Sequence, residues 1–228
     1  MMRIAMLSSW HVHAPGYARE IQARSDARIT AVWDEDPDRG RKWAADLGVP
    51  FEECLDTVLG RADVDGVAVN TPTNRHTEVI VAAAKAGKHI FTEKVMALTV
   101  KECLEIKKAV DEAGVKFCIS FPHRTWPVNL LAKEVIENGL LGDVTLMRVR
   151  NAHNGASAGW LPEHFYDPVA CGGGAMMDLG AHPMYLARWL MGEPKRISSM
   201  FGHYTGHEVE DNAVALIEFA NKGIAVAE

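Results

Sequence analysis

The chain has 228 residues, 48% of them hydrophobic and 24% charged, with a formal net charge of −6. That is enough for one large domain or two small ones around a real core, and the composition carries no sign of disorder. No Lys/Arg cluster marks a nucleic-acid face, and no apolar run of about 18 residues is present to span a membrane. Cys54, Cys103, Cys118 and Cys171 form no C-x-x-C pair, as expected for reduced thiols in a cytoplasmic protein. The apolar stretch Met1–Leu7 is too short for a signal peptide.

Short apolar runs alternate with helical patterns from the start. Arg3–Ser8 and Ala27–Trp33 read as buried strands flanking a helix over Ala14–Arg24. Asp36-Pro37 reads as an N-cap followed by Pro at the first helical position, and that helix stops near Leu47 with Gly48 beyond it. Asp65–Thr71, Lys88–Thr92 and Val115–Ser120 are further strands. Between them lie a helix over Arg75–Ala86 and one that opens on the capping box Thr99/Glu102 and ends at Gly114. Continuous apolar strands alternating with helices predict a doubly wound parallel sheet of the α/β class, over residues 1–121.

From residue 122 to 228 the pattern changes to α+β. A helix over Val128–Asn138 leads into the strand Val144–Arg150, then into an irregular stretch over Asn151–Gly174. A helix over Met177–Met191 follows, and then the strands Arg196–Tyr204, Ala213–Phe219 and Gly223–Glu228. These predict an open, mainly antiparallel sheet. The chain ends within that sheet, so the second domain is expected to be incomplete, with its last strand at an unprotected edge. Along Ala213–Phe219 one face is the more apolar, and an uncovered apolar face would form an oligomer interface.

In a dinucleotide fold the first strand–turn–helix carries G-x-G-x-x-G, which brings backbone amides to the pyrophosphate. Here the turn reads Ser8-Ser9-Trp10-His11-Val12-His13, with Ser8, Trp10 and His13 at the glycine positions. Asp34 follows the second strand, about 20 residues on, where an acid accepts from the adenosine ribose and disfavours a 2′-phosphate. The stretch after the third strand contains Asn70-Thr71-Pro72, then Asn74 and His76. Ala86-Gly87-Lys88-His89 and Glu93-Lys94 come next. Later, Gly172-Gly173-Gly174 precedes Asp178, Gly180 and His182, the acid and the imidazole four residues apart on one helical face. Ten histidines raise the question of a metal. His203 and His207 are separated by a turn, though, and no H-E-x-x-H or Cys/His cluster occurs, so no metal site is expected. Cys171, beside the glycines, reads as a small buried thiol.

The T-P-x-x-x-H turn, A-G-K-H, E-K and the glycine-led D-x-G-x-H together resemble the Gfo/Idh/MocA family of sugar and polyol dehydrogenases, with Val95 where the family has Pro after E-K. The resemblance implies a Rossmann domain that binds NAD, with NADP less favoured, through Ser8, Ser9, Trp10, His11, His13, Asp34, Asn70, Thr71, Pro72, Asn74, His76, Glu93 and Lys94. It implies hydride transfer to or from a secondary alcohol carbon of a sugar-like or cyclitol substrate, with Lys94, Asp178 and His182 catalytic. Arg124, Trp126, His153 and Trp160 are expected in the substrate wall, and the second domain's sheet in a homo-oligomer. A rival reading is a catalytically impaired dinucleotide-fold binding or regulatory protein, suggested by the glycine-free turn, Val95 and the short second domain.

Overall fold

The computed structural model describes residues 1–228, which form two units, Met1–Ser120 and Phe121–Glu228. In the first, strands β1 (Met2–Leu7), β2 (Ala27–Trp33), β3 (Gly66–Val69), β4 (His89–Thr92) and β5 (Phe117–Ile119) build a parallel sheet in the order β2-β1-β3-β4-β5. Most side chains of β1 to β4 are buried on both faces, which is why the sequence shows apolar runs rather than alternation, whereas β5 at the sheet edge leaves Cys118 exposed. Helices α1 (Ala14–Gln22) and α2 (Pro37–Leu47) cover one face, packing Ala14, Ala18, Trp43 and Ala44 on Met6 and Val32. Helices α3 (Leu55–Gly60), α4 (His76–Lys85) and α5 (Val100–Ala113) cover the other, with Val58, Ile80 and Ile106 against Leu7 and Val69. Shortening one of these core aliphatics to Ala costs about 2–5 kcal/mol.

The local punctuation follows the chemistry of the residues. Asp36 caps α2 by accepting from the Asp38 and Arg39 amides at 3.0 and 3.2 Å, and Gly48 ends that helix at φ +69°. Thr99 and Glu102 form the reciprocal capping box of α5. Helix α3 is an addition to the sequence reading. At six residues and with no side-chain cap bond it gives little periodic signal.

In the second unit, α6 (Pro127–Glu137) precedes β6 (Leu146–Val149). Short helices α7 (Gly155–Ala158), α8 (Pro168–Cys171) and α9 (Ala175–Asp178) follow, then α10 (Ala181–Met191), β7 (Pro194–Gly202), β8 (Asn212–Phe219) and β9 (Ile224–Ala227). The sheet order is β6-β9-β8-β7, antiparallel except for the β6–β9 pair.

Three sequence expectations are corrected in this unit. The last strand is internal, because β9 pairs with β6 on one side and β8 on the other. The more apolar face of β8, with Ala215, Ile217 and Phe219, is covered by Ala187, Leu190 and Met191 of α10. The exposed apolar residues lie instead on the opposite face, where Leu146, Met200, Val214, Leu216 and Ile224 are each more than 40% accessible. Finally, the helix expected over Met177–Met191 is two helices. The chain turns at Leu179-Gly180, where the Gly180 amide reaches back five residues to the Ala175 carbonyl at 2.9 Å.

Candidate functional sites

The chain runs from β1 outward to β2 and then crosses back to β3, so the topology switches between β1 and β3. In open α/β sheets the crevice at the carboxyl ends of such strands holds the ligand. The residues gathered there are the β1–α1 turn, Asp34 and Glu35 after β2, Asn70–Thr73 after β3, Glu93-Lys94 after β4, and Ser120 after β5.

The β1–α1 turn keeps a glycine-like bend without glycine. Ser8 sits at φ +72°, a left-handed conformation unfavourable for a residue with a Cβ. Its hydroxyl offsets that by accepting from the Trp10 amide at 3.0 Å and donating to Glu35 Oε1 at 3.0 Å. The other amides of the turn also have internal partners. Ser9 N–H donates to Asp34, His11 N–H to the Asn70 carbonyl, His13 N–H to His11 Nδ1, and Ala14 N–H to the His11 carbonyl. Trp10 and His11 are buried, whereas His13 is half exposed.

Asp34 is fully buried and heavily engaged. It accepts from the Ser9 amide (2.9 Å), the Asp36 amide (2.9 Å), the Ser9 hydroxyl (3.2 Å) and the Arg39 guanidinium (Nε at 3.0 Å). Arg39 Nη2 also reaches Glu35 Oε1 at 2.6 Å. Burial, together with the neighbouring Asp34 charge, pushes the Glu35 carboxyl above its ordinary range.

Asn70, Thr71, Glu93 and Lys94 are buried. Glu93 Oε1 accepts from the Tyr17 hydroxyl and pairs with His13 Nδ1 at 2.8 Å, while Oε2 accepts the Lys94 amide at 2.8 Å. Burial alone would raise this carboxyl. The His13 bond and the His11, His13 and Lys94 charges outweigh it and hold Glu93 near a pKa of about 2. Tyr17 is driven well up by burial and by Glu93, so it remains a donor, with the Ser120 hydroxyl at 2.8 Å. Donor atoms of His11, His13 and Glu93 also fall within 4.8 Å of one another, a spacing open to a cation.

His76 is buried and ties two segments together. Its Nδ1 lies 2.8 Å from the Val95 carbonyl and its Nε2 lies 3.1 Å from the Thr71 carbonyl, and burial lowers its pKa. The spacing of T-P-x-x-x-H therefore pins the turn after β3 to the segment after Lys94, across a Lys94–Val95 peptide that is cis. Pro72 precedes the single 3₁₀ turn Thr73–Arg75 that carries Asn74.

Three side-chain atoms at the strand ends, Glu35 Oε2, Asn70 Oδ1 and Thr71 Oγ1, are buried without a hydrogen-bond partner in the protein. Buried polar atoms are rarely left so. Two acceptors and a hydroxyl at the carboxyl ends of β2 and β3 fit a hydroxyl- and amide-bearing ligand such as a dinucleotide.

The second unit holds the other predicted residues. Gly174 opens α9, and a Cβ there would lie 1.9 Å from the Glu210 carbonyl oxygen, so the position has room only for glycine. Glu210 fastens this corner. Its carboxylate accepts the Gly174 and Met176 amides at 2.8 and 2.9 Å, and its carbonyl accepts the Ala175 amide at 2.8 Å. Asp178 ends α9 and His182 lies in the first turn of α10. His182 Nδ1 is 2.8 Å from the Tyr185 hydroxyl, which also accepts the His123 amide at 3.2 Å. The His123 ring stacks on His182 at 4.2 Å and meets the Trp126 ring at 3.8 Å.

The structure thus joins Trp126 to His182 through His123. It places Arg124 over the Trp189 ring, 5.0 Å away. His153 and Asp178 line one small cavity with Tyr166 and His207, and Trp160 stands against His153 at 4.7 Å. His207 stacks on Tyr166 at 3.6 Å, and Cys171 is a buried thiol that donates to the His164 carbonyl. Sequence reasoning missed Glu35, Tyr185 and Glu210. Tyr185 carries an i,i+3 signal from His182 and Glu35 adjoins Asp34, but Glu210 is distant in sequence and carries none.

Two family models cover the chain. Residues 11–121 match the oxidoreductase-family NAD-binding Rossmann fold, and residues 129–228 match the GFO/IDH/MocA C-terminal domain. An uncharacterized oxidoreductase of Streptococcus pneumoniae serotype 4 is 31% identical over 92% of this chain and 58% of its own length. Inositol 2-dehydrogenase of Rhizobium meliloti is 28% identical over 78% of this chain and 51% of its own. The chain thus spans little more than half the length of these relatives. Among solved structures, GenD2 from gentamicin A biosynthesis in complex with NAD superposes with a TM-score of 0.90 at 25% identity, over 99% of this chain and 64% of that one. Levoglucosan dehydrogenase, in complex with NADH and levoglucosan, shares the fold at a TM-score of 0.85 and 23% identity, over 99% and 65% of the two chains. The chain therefore belongs to the Gfo/Idh/MocA family of oxidoreductases, and its first unit is an NAD-binding Rossmann fold.

Proposed function

We propose that the protein is an NAD-dependent dehydrogenase acting on a secondary alcohol of a sugar-like or cyclitol substrate in the cytoplasm. The observation that carries this reading is Lys94, buried at the carboxyl end of β4 beside unpartnered Asn70 and Thr71 atoms, within a Rossmann fold that binds NAD. Relatives named inositol 2-dehydrogenase and levoglucosan dehydrogenase support the substrate class.

Thr71, Asn70 and the Ser8–His13 turn would hold the cofactor. When bound, NAD supplies a hydride acceptor at the nicotinamide ring. Lys94 hydrogen-bonds the reacting oxygen and steadies the charge that develops on it. His182 takes the hydroxyl proton as the C–H electron pair leaves, and returns it in the reverse direction. Asp178 orients the substrate. His153, Trp160, Arg124 and Trp126 supply a polar and aromatic wall suited to a polyol.

The internally bonded amides of the β1–α1 turn favour the second reading, a binding or regulatory protein without turnover. Titration with NADH by protein fluorescence, followed by a screen of sugars and cyclitols for NAD reduction, separates the two. The first reading expects binding and turnover, the second binding alone. The exposed face of the second sheet further suggests a homo-oligomer built through Val214 and Leu216 and their neighbours.

A further inference from the structure

We infer that Tyr185 is the positioning residue of His182: its hydroxyl oxygen fixes the imidazole through Nδ1 and leaves Nε2 to take and return the proton. The inference rests on the reading above that His182 handles the substrate proton, and every residue it uses belongs to the second unit.

A histidine ring turns easily about its terminal torsion, so a proton-transfer imidazole needs contacts that fix it. His182 is buried and is held from two directions. At its edge, Nδ1 lies 2.8 Å from the hydroxyl of Tyr185, three residues further along α10 and therefore on the same helical face. On its face, the His123 ring stacks at 4.2 Å with 22° between the planes, and Trp126 meets His123 at 3.8 Å.

Tyr185 is itself fixed. Its ring lies 4.2 Å from the Phe121 ring, and its oxygen accepts the His123 amide at 3.2 Å. A backbone amide can only donate, so this bond sets the position of the oxygen. It also ties that oxygen to the residue whose ring stacks on His182. The segment Phe121–Trp126 and the start of α10 thus clamp one imidazole.

A phenol suits the chemistry. Its oxygen has lone pairs for both the His123 amide and His182 Nδ1–H. With Nδ1–H donating to it, neutral His182 keeps the Nε2 lone pair. Nε2 then takes the substrate hydroxyl proton, and the imidazolium so formed keeps the same Nδ1–H bond. The reverse reaction returns the proton by the same route. A carboxylate in this place would favour the imidazolium, whereas the neutral phenol leaves both forms accessible.

The test measures kcat and KM for NAD reduction in wild type, Tyr185→Phe, His182→Ala and the double variant. The substrate is the member of a sugar and cyclitol panel, levoglucosan and myo-inositol included, that wild type oxidises. Tyr185→Phe keeps the ring against Phe121 and removes one hydroxyl. It should lower kcat about 10–100-fold, the cost of a misaligned proton-transfer group, and leave KM within about twofold of wild type. In the His182→Ala background the same change should cost nothing more, because residues that act as a unit are not additive. A near-normal kcat in Tyr185→Phe, a loss confined to KM, or an equal loss with and without His182 would overturn the inference. If wild type oxidises no panel member, the dehydrogenase reading fails instead, and the nitrogen-15 resonance of His182 Nδ1 reads the bond without turnover. That resonance should move in Tyr185→Phe, and an unmoved one overturns the inference as well. Should Tyr185→Phe not fold, replacement of Tyr185 by 3-fluorotyrosine decides. It keeps the shape and weakens the oxygen as an acceptor, so the resonance should shift, and no shift contradicts the inference.

Discussion

The parallel sheet of Met1–Ser120 lies under helices on both faces, and most of its buried polar side chains lie at or just after the carboxyl ends of the strands. The mixed sheet of Phe121–Glu228 lies under α10 on one face only, and Leu146, Met200, Val214 and Leu216 stand on the other with much of their surface exposed. In the first unit the buried polar side chains gather after the strands, and three side chains there keep a buried atom without a hydrogen-bond partner, which a ligand can satisfy. In the second unit apolar surface itself remains uncovered, and another protein surface is the natural cover. The two units thus advertise different partners by the kind of atom each leaves unpaired.

The largest expected effect concerns chemistry at the strand ends and the α9–α10 turn. Lys94→Ala and His182→Ala should each lower turnover by about 10²–10⁴-fold while leaving the thermal midpoint near wild type, as expected when a positioned proton-transfer group is lost. Near-normal turnover in either variant, measured on a substrate that wild type reduces or oxidises, would remove that residue from the mechanism.

The next effect tests the polar burial of the first unit. The Glu93 pKa is depressed, so its ionised form stabilises the fold fully above its ordinary range near 4.5, and that contribution is lost as pH falls toward about 2. Glu93→Gln leaves His13, Tyr17 and the Lys94 amide facing a neutral group. It should cost roughly 3 kcal/mol at neutral pH, in the range for breaking a buried pair. The gap to wild type should close as acid is added through that window. Denaturant unfolding at a series of pH values measures it, and a gap independent of pH would show that the Glu93 charge is not what stabilises the site.

A smaller effect addresses the second sheet. Leu216→Lys places a charge in the centre of the exposed face and should raise the dissociation constant of an oligomer at least tenfold, about 1.4 kcal/mol. Light scattering over a range of concentrations reads this directly. A wild-type chain that is monomeric at micromolar concentration would show that this face has no copy of itself as partner.

The smallest effect lies in the β1–α1 turn. Ser8→Gly relieves a left-handed residue, worth about 1 kcal/mol, but removes the hydroxyl bonds to Trp10 and Glu35, so the net change should stay within about 1 kcal/mol. A large loss would mean that the hydroxyl, rather than the backbone shape, maintains the turn.

These contrasts also mark what the sequence could convey. The strands and helices of the first unit are legible because burial on two faces and the Asp36, Gly48, Thr99 and Gly114 signals are local. The proposed roles of Lys94, Asp178 and His182 rest on spaced motifs in the sequence. What is not legible depends on partners distant in the chain. Examples are the saturation of Asp34 by Ser9 and Arg39, the fastening of Gly174–Met176 by Glu210, and the insertion of β9 between β6 and β8. The break at Leu179-Gly180 is hidden for another reason: both residues keep right-handed helical angles, and only the hydrogen-bond register changes.

The central claim, NAD-dependent oxidation of a polyol, is tested most directly by incubating the chain with NAD and a panel of sugars and cyclitols and following reduced nicotinamide, with Lys94→Ala as control. The account predicts reduction of NAD with at least one panel member in wild type, and its loss in Lys94→Ala while NADH binding persists. Binding of NADH by wild type with no turnover across the panel, or equal turnover in Lys94→Ala, would contradict it.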